Sequence, residues 1–416
     1  MQSTPQTNAA SADFDVRTRF VVSLATRLHE AGTTAARLED ALLKVGHKLG
    51  MVCVVWSSPT AMILSFKDEI NPSFKTVEVL RMKYSDIDLR TLCAVDRIAE
   101  LVMRGELNVE SGERALVLAI APISRVRAWT ETLVGFTLAN MGVSCLLGLS
   151  WLEIALAGCV GLLLGLLHVT LGTRLRFSQS MEAMCGVAAA FILSLAASLL
   201  APINFRACLL ASLIVLVPGM SITSAAAEIA LGHLVSGTAR MAGAFATLLK
   251  LSFGALVGTE AVKLLQLTPQ FGSLAAAPSW VPWVGLLVSG ISFAILFKAP
   301  TRAVPLAIGA ALLGYSCTRI AGSWYGPEFG VFIAGLVVTL VANSYARHYK
   351  RPGALIRLPG IILLVPGSVG FKSLAFVIEK DVFLGLDAAV SMLLLLVSLV
   401  AGILFASTIV PPRESL

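Results

Sequence analysis

Directly after Leu216-Val217-Pro218-Gly219, an otherwise apolar stretch carries a polar strip: Ser221, Thr223, Ser224, Glu228, Ser236 and Arg240. Proline removes a backbone donor and clashes with the preceding turn, and glycine takes conformations that other residues avoid. A Pro-Gly pair inside an apolar run therefore unwinds a helix and frees amides and carbonyls. In a bilayer such groups persist only where they are buried in protein or line a cavity. Bare backbone at Pro218 and Gly219, hydroxyls beside it and the Arg240 cation together suit the anionic end and polar tail of a small zwitterion or carboxylate. The plainer alternative is a solvated loop with a snorkelling arginine.

The motif recurs as Leu364-Val365-Pro366-Gly367, 148 residues later, with Ser368 and Lys372 as its polar counterparts. Ionisable residues within spans are rare and are functional candidates by default. Glu228 is the first choice for a carboxylate that exchanges a proton or orients a substrate. Glu260 and His168, near the ends of two apolar runs, are the next choices for proton coupling. Glu131, Glu153 and Glu182 stand at span ends and read as solvated positions. No G-x-x-x-x-G-K-[ST], H-E-x-x-H or G-x-S-x-G pattern occurs, and His233 near Ser236 is too ordinary a pairing for a hydrolase. The chain is therefore not read as an enzyme or an ATP-driven pump, and no cofactor is expected. Its seven cysteines form no C-x-x-C pair, so neither a metal site nor a disulfide framework is expected.

These residues need elements to position them. The chain of 416 residues is 56% hydrophobic and 14% charged, against roughly a quarter charged in soluble domains. Charge concentrates in residues 1–128, and the boundary falls at Arg125–Trp129. Beyond it, ten apolar runs are long enough to cross a hydrocarbon core of about 30 Å: 129–149, 151–171, 181–201, 205–220, 239–262, 280–298, 302–320, 328–346, 354–377 and 386–410. Cations cluster in alternate short loops, at Arg125, Arg127, Arg174, Arg176, Lys298, Arg302, Arg347, Lys350, Arg351 and Arg357. The other loops hold only Arg206, Lys263, Lys372 and Lys380. That bias predicts both termini on the cytoplasmic side. The net charge of +7 belongs to this topology signal, so nucleic acid is not expected as a partner.

Before the boundary, residues 1–15 read as a disordered tail rather than a signal peptide. Residues 16–128 read as a small cytoplasmic α+β domain. Helical spacing runs from Val16 to Leu49, interrupted at Gly32-Thr33-Thr34, where either threonine could cap a second helix. Strands are predicted at Met51–Trp56, Thr60–Phe66 and Lys75–Arg81, then helices at Leu89–Arg104 and Val109–Ala121.

The 148-residue offset also carries each of the first five spans onto one of the last five. Five is odd, so the second half must run opposite to the first. The expected fold is a polytopic α-helical membrane protein of about ten transmembrane helices. They form two inverted five-helix repeats, at 129–264 and 279–411, with a broken fourth helix in each. Interrupted helices at matching positions of two repeats point to a transporter's binding site. A secondary transporter is expected, with a small-molecule substrate, protons as the coupling ion, the lipid bilayer as its surroundings and a homo-oligomer left open; a passive channel is the alternative.

The sequence also resembles the threonine/serine exporter family over nearly its whole length. The likeness lies in Leu28-His-Glu-Ala-Gly-Thr-Thr-Ala-Ala-Arg-Leu-Glu39, Leu49-Gly50, Ser58-Pro59-Thr60, Asp88-Leu89 and Gly105-Glu-Leu-Asn108. It continues in the first Pro-Gly motif, Glu228, Ser236-Gly-Thr-Ala-Arg240, and Pro359-Gly360 leading to Leu364-Val-Pro-Gly-Ser368. The resemblance implies a cytoplasmic domain followed by ten helices, in two halves that some members encode separately. It further implies export of threonine and serine across the inner membrane driven by the proton motive force, with dicarboxylates such as succinate as the other substrate class. Position 228 is typically acidic in the family, often Asp, and is Glu here.

Overall fold

The computed structural model describes residues 5–83, 86–119, 124–172, 174, 177, 179–378 and 381–412. Met1–Thr4, Arg176 and Lys380 lie outside them. Helix α1 (Pro5–Glu30) opens on a proline, whose missing N–H is no loss in a first turn. The tail expected up to Asp15 is therefore corrected from Pro5 on. Ala9, Ala10 and Ala12 favour helix, and Phe14, 4% exposed, stacks on Phe74 at 6.1 Å. Gly32, at φ +77°, turns the chain so closely over Asp86 and Ile87 that a Cβ would sit 3.0 Å from backbone. Helix α2 (Ala35–Lys48) follows. Strands β1 (Met51–Ser58), β2 (Ala61–Asp68) and β3 (Lys75–Arg81) form an antiparallel sheet in that order, with Trp56 opposite Ile63 and Ile63 opposite Val79. Asp88 caps α3 (Leu89–Met103) through the Thr91 amide at 2.9 Å, and Asn108 caps α4 (Val109–Leu118) through Ser111 at 2.7 Å. We refer to residues 5–118 as the N-terminal layer.

The rest is helical: α5 (Arg125–Leu146), α6 (Trp151–Leu171), α7 (Met181–Leu199), α8 (Phe205–Leu213), α9 (Gly219–Ala230) and α10 (Leu234–Leu264). Then come α11 (Val281–Leu296), α12 (Val304–Tyr325), α13 (Pro327–Tyr349), α14 (Ala354–Ile362), α15 (Gly367–Ile378) and α16 (Val382–Ile409). Among the described residues, seven stretches are long and apolar enough to cross a bilayer: α6, α7, α10, α12 with the turn before it, α13, α14–α15 to Phe376, and α16. Helix α11 is apolar but has 16 residues, and α5 carries Arg125, Arg127 and Glu131 in its first two turns. The chain is thus a polytopic helical membrane protein.

The fourth run, over 205–220, is interrupted before its Pro-Gly. Nine-residue α8 stops before Pro218, and twelve-residue α9 starts at Gly219. The later Pro-Gly does the same: nine-residue α14 stops, and twelve-residue α15 starts at Gly367. Small residues let neighbouring helices meet backbone to backbone. A Cβ on Gly254 of α10 would lie 2.2 Å from the Ala183 carbonyl of α7, and one on Gly402 of α16 would lie 2.4 Å from the Phe332 carbonyl of α13. Gly254 and Gly402 stand 148 residues apart, the spacing of the Pro-Gly motifs.

The N-terminal layer shares one apolar core with the bundle. Phe20, Leu24, Leu42, Leu64 and Leu89 are continuous with Ala294, Ala299, Ala303, Ala307, Ala354 and Leu355. Polar ties add to it: the Leu89 amide donates to the Phe297 carbonyl at 2.9 Å, Lys298 pairs with Asp88 at 3.1 Å, and Arg90 pairs with Glu131 at 3.1 Å. Helix α5 therefore starts at the layer, and α11 ends there.

Candidate functional site

The two chain breaks meet each other. A Cβ on Gly367 would fall 2.6 Å from the Cα of Gly219 and 2.9 Å from Val217, and one on Gly219 would fall 2.4 Å from Val365. Only glycine at both positions permits this approach. The carbonyl of Ser212, freed at the end of α8, accepts from Nδ2 of fully buried Asn140 on α5 at 2.7 Å. Oδ1 of Asn140 and Oγ1 of Thr223, both buried, find no partner among the described residues. A buried polar atom without a partner costs about 1–3 kcal/mol, so the first break keeps unused hydrogen-bonding capacity.

Helix α9 carries the break to Glu228, 1% exposed, at the layer. Its Oε2 accepts from Ser236 Oγ at 3.0 Å and Arg240 Nε at 3.2 Å, and its Oε1 accepts from Arg240 Nη2 at 3.3 Å. Oε1 also accepts, at 3.0 Å, from the backbone amide of Ala35, the first residue of α2. Thr34 occupies the N-cap position but makes no side-chain cap bond. A helix N-terminus presents unpaired amides and a partial positive charge, and here a carboxylate 193 residues away satisfies it. Next to this contact, Glu39 of α2 accepts from the Ser57 amide at 2.8 Å and lies 3.4 Å from His233 Nδ1.

Of the residues singled out in the sequence, Glu228, Ser236 and Arg240 come together, with Arg240 only 11% exposed. Pro218, Gly219, Pro366 and Gly367 form the paired breaks; Ser221, Thr223 and Ser224 follow on α9, and Ser368 stands in the first turn of α15. Lys372 is exposed on α15 and does not join them. His168 is exposed on α6 with its ring 5.7 Å from Phe136. Glu260 is half-exposed, pairs with Lys263 at 2.6 Å, and lines a cavity at the far end of α10. Glu153, expected to be solvated, is instead 2% exposed: it completes the α6 capping box with Ser150 and accepts from the Asn204 amide at 2.6 Å.

The sequence reading missed the Ala35 amide, since a backbone donor has no residue signature; an exposed-looking threonine cap without a following Glu was the only hint. It also missed His29. That ring, 8% exposed at the end of α1, has Nε2 3.2 Å from the Lys83 carbonyl. Burial pushes its pKa below the ordinary 6.5 and the Arg240 charge adds to this, against pulls from Lys83, Pro59 and Glu30. The folded state thus holds His29 neutral. The linked stability is complete above pH 6.5 and is lost as pH falls below it, toward the depressed folded value. Thermal unfolding of the purified protein should show that loss, and His29→Gln should flatten it. An unchanged pH slope in His29→Gln would assign the effect elsewhere.

The chain matches a family described as "Putative threonine/serine exporter" over residues 19–262, and one described as "Threonine/Serine exporter, ThrE" over residues 283–409. It is 26% identical to "Pheromone-regulated membrane protein 10" of Eremothecium gossypii, covering 87% of this chain and 50% of that protein. The protein of that name from Saccharomyces cerevisiae is 24% identical, covering 87% and 48%, and the one from Candida albicans 25%, covering 87% and 33%. The chain spans half or less of the length of these curated relatives. No solved structure matches it.

Proposed function

This chain belongs to the threonine/serine exporter family, and from that premise we propose that it exports small amino acids, threonine or serine, as a proton-driven secondary transporter. The observation that carries the reading is the buried Glu228–Arg240 pair at the end of a broken helix. Arg240 and the Ala35 amide suit a substrate carboxylate, but Glu228 occupies both. A proton on Glu228 removes its charge and releases both donors, so proton and substrate are linked through one carboxylate. Glu260 and His168 stand apart from this pair and are secondary candidates for the proton route.

The alternation of access follows from the same elements. Helices α5, α6, α7, α8–α9 and α10 form one five-span repeat. Helices α11, α12, α13, α14–α15 and α16 form its inverted counterpart, with the breaks in contact at the pseudo-symmetry axis. The opposed directions of α5 and α11 against the N-terminal layer support the inversion. In this reading the layer and both termini face the cytoplasm, the membrane is the inner one, and the layer is a domain closing the inner mouth. Dicarboxylate export, the other substrate class that the family resemblance implies, is the second reading.

Cells loaded with threonine should release it faster with this protein than without it, and a protonophore should return release to background. Release that persists after the gradient collapses identifies a passive pore, and release of succinate instead of threonine identifies the second reading.

A further inference from the structure

The three-stranded sheet of the N-terminal layer is apolar on both faces. Met51, Cys53, Met62, Leu64 and Phe66 point inward and are buried in the core shared with the bundle. On the other face the register sets Trp56 beside Ile63 and Ile63 beside Val79, then Val54 beside Ser65 and Ser65 beside Val77, with Val52 in the row beyond. Those six apolar side chains are 38–70% exposed. An antiparallel sheet with one wet face ordinarily alternates apolar-in and polar-out. Apolar residues exposed singly need no explanation, but a contiguous apolar surface rimmed by polar groups marks an interaction site. The sheet therefore lacks a layer on its outer side.

The outer face also carries one sign of charge. Lys67 and Lys75 stand together beside Val52 at one end, and Arg81 stands beside Ala61 and Ser58 at the other, all three exposed. No carboxylate shares the face, since Asp68 and Glu78 alternate to the inner side. Two copies of this chain packed face to face would set cation against cation, and like-charge juxtaposition disfavours a partner. The bilayer is excluded by direction. Helix α2 meets the bundle at Ala35, and Lys48 lies 13 residues further on, about 20 Å at the helical rise. Strand β1 then returns beside α2, with the Ser57 amide bonded to Glu39 at 2.8 Å. The strands thus stand up from the bundle, and the end with Val52, Lys67 and Lys75 is the one far from the membrane.

The dimensions fit one helix. Three strands about 4.8 Å apart make a surface about 10 Å wide, the width of an α-helix with its side chains. From the Ser58 row to the Val52 row is about 20 Å at the strand rise, which roughly 13–14 helical residues cover. We infer that the outer face of the sheet is a docking site for an amphipathic helix of another protein. Its apolar stripe lies on Trp56, Ile63 and the four valines, and its carboxylates meet Lys67 and Lys75 at one end and Arg81 at the other. This site depends on neither the substrate nor the coupling ion proposed above.

The test places the photoreactive residue benzoylphenylalanine at Val54 or Val79 of the full chain in its native cells, with Glu110, exposed on α4, as the background position. Irradiation and mass spectrometry should identify the same cross-linked segment from both positions, one whose apolar residues recur at helical spacing and are flanked by Asp and Glu. A synthetic peptide of that segment should bind the full chain in nanodiscs. Lys67→Glu, Lys75→Glu and Arg81→Glu together should weaken that binding by about tenfold or more with the melting temperature unchanged. Lys67→Gln with Lys75→Gln, which introduces no new charge, should weaken it in the same direction. Cross-links no stronger than at Glu110, cross-links to a second copy of this chain or to lipid, a segment without carboxylates, or peptide binding that these variants leave unchanged each overturn the assignment.

Discussion

Glu228→Gln abolishes export while the protein remains in the membrane: that is the largest single effect expected. Glutamine keeps the shape: its one carbonyl oxygen can still accept from the Ala35 amide, and its NH2, in place of the other oxygen, can donate to Ser236 Oγ, the two contacts being 3.0 Å each in Glu228. It cannot balance Arg240. Leaving one member of a buried ion pair without the other costs about 3–5 kcal/mol, so both thermal stability and transport should fall, the latter by roughly a hundredfold or more at 1.4 kcal/mol per decade. Arg240→Gln should do the same from the other side. The double variant, Glu228→Gln with Arg240→Gln, separates stability from function. It has no unbalanced charge, so melting temperature should recover toward the parent, yet it has neither the proton acceptor nor the cation, so efflux should stay at background. An exporting double variant would remove this pair from the mechanism.

Gly367→Ala should be nearly as damaging, for a steric reason. The added methyl would sit 2.6 Å from the Cα of Gly219, against backbone that cannot rotate away. Gly219→Ala meets the Val365 side chain at 2.4 Å instead, and that branched residue has little rotamer freedom. Both substitutions should cut export severely, Gly367→Ala the more. Gly243→Ala is the control, since a Cβ there meets nothing within 4 Å, and it should export normally. Efflux and melting temperature measured on the three variants decide the matter. If Gly367→Ala behaves like the control, the two breaks do not have to touch during transport.

Much of this was legible in the sequence, because its signals are local. Apolar length marked the helices, and proline with glycine marked where α9 and α15 begin, although the helices before them already end at Leu213 and Ile362. Strand β3 was placed at its observed bounds, since alternation and flanking turns are short-range properties. What the sequence could not carry was pairing at a distance. Glu228 stood out as a charge in apolar surroundings, but nothing in its neighbours named α2 as its other partner. Arg206 looked like a scattered loop cation, because the cavity it lines is assembled from four separate parts of the chain. Glu153 looked solvated because it stands at a span end; the capping box and the fold-back of Asn204 bury it. The tail failed for a different reason: polar composition in residues 1–15 hid a helix nucleated by proline and held by Phe14.

The shared core of the N-terminal layer has an asymmetry with a mechanical consequence. Every buried bundle residue of this core, from Ala294 to Leu355, comes from α11, α12, α14 or the turn before α12. The contacts to Glu228, His233 and Glu131 all lie on α5, α9 or the turn after α9. The layer is therefore held to the later helices by apolar contact together with the Lys298–Asp88 pair, and to the earlier ones, to which it is also tethered in sequence, by polar and ionic contacts alone. Loss of the Glu228 and Glu131 charges would weaken the second set of contacts and leave the first in place.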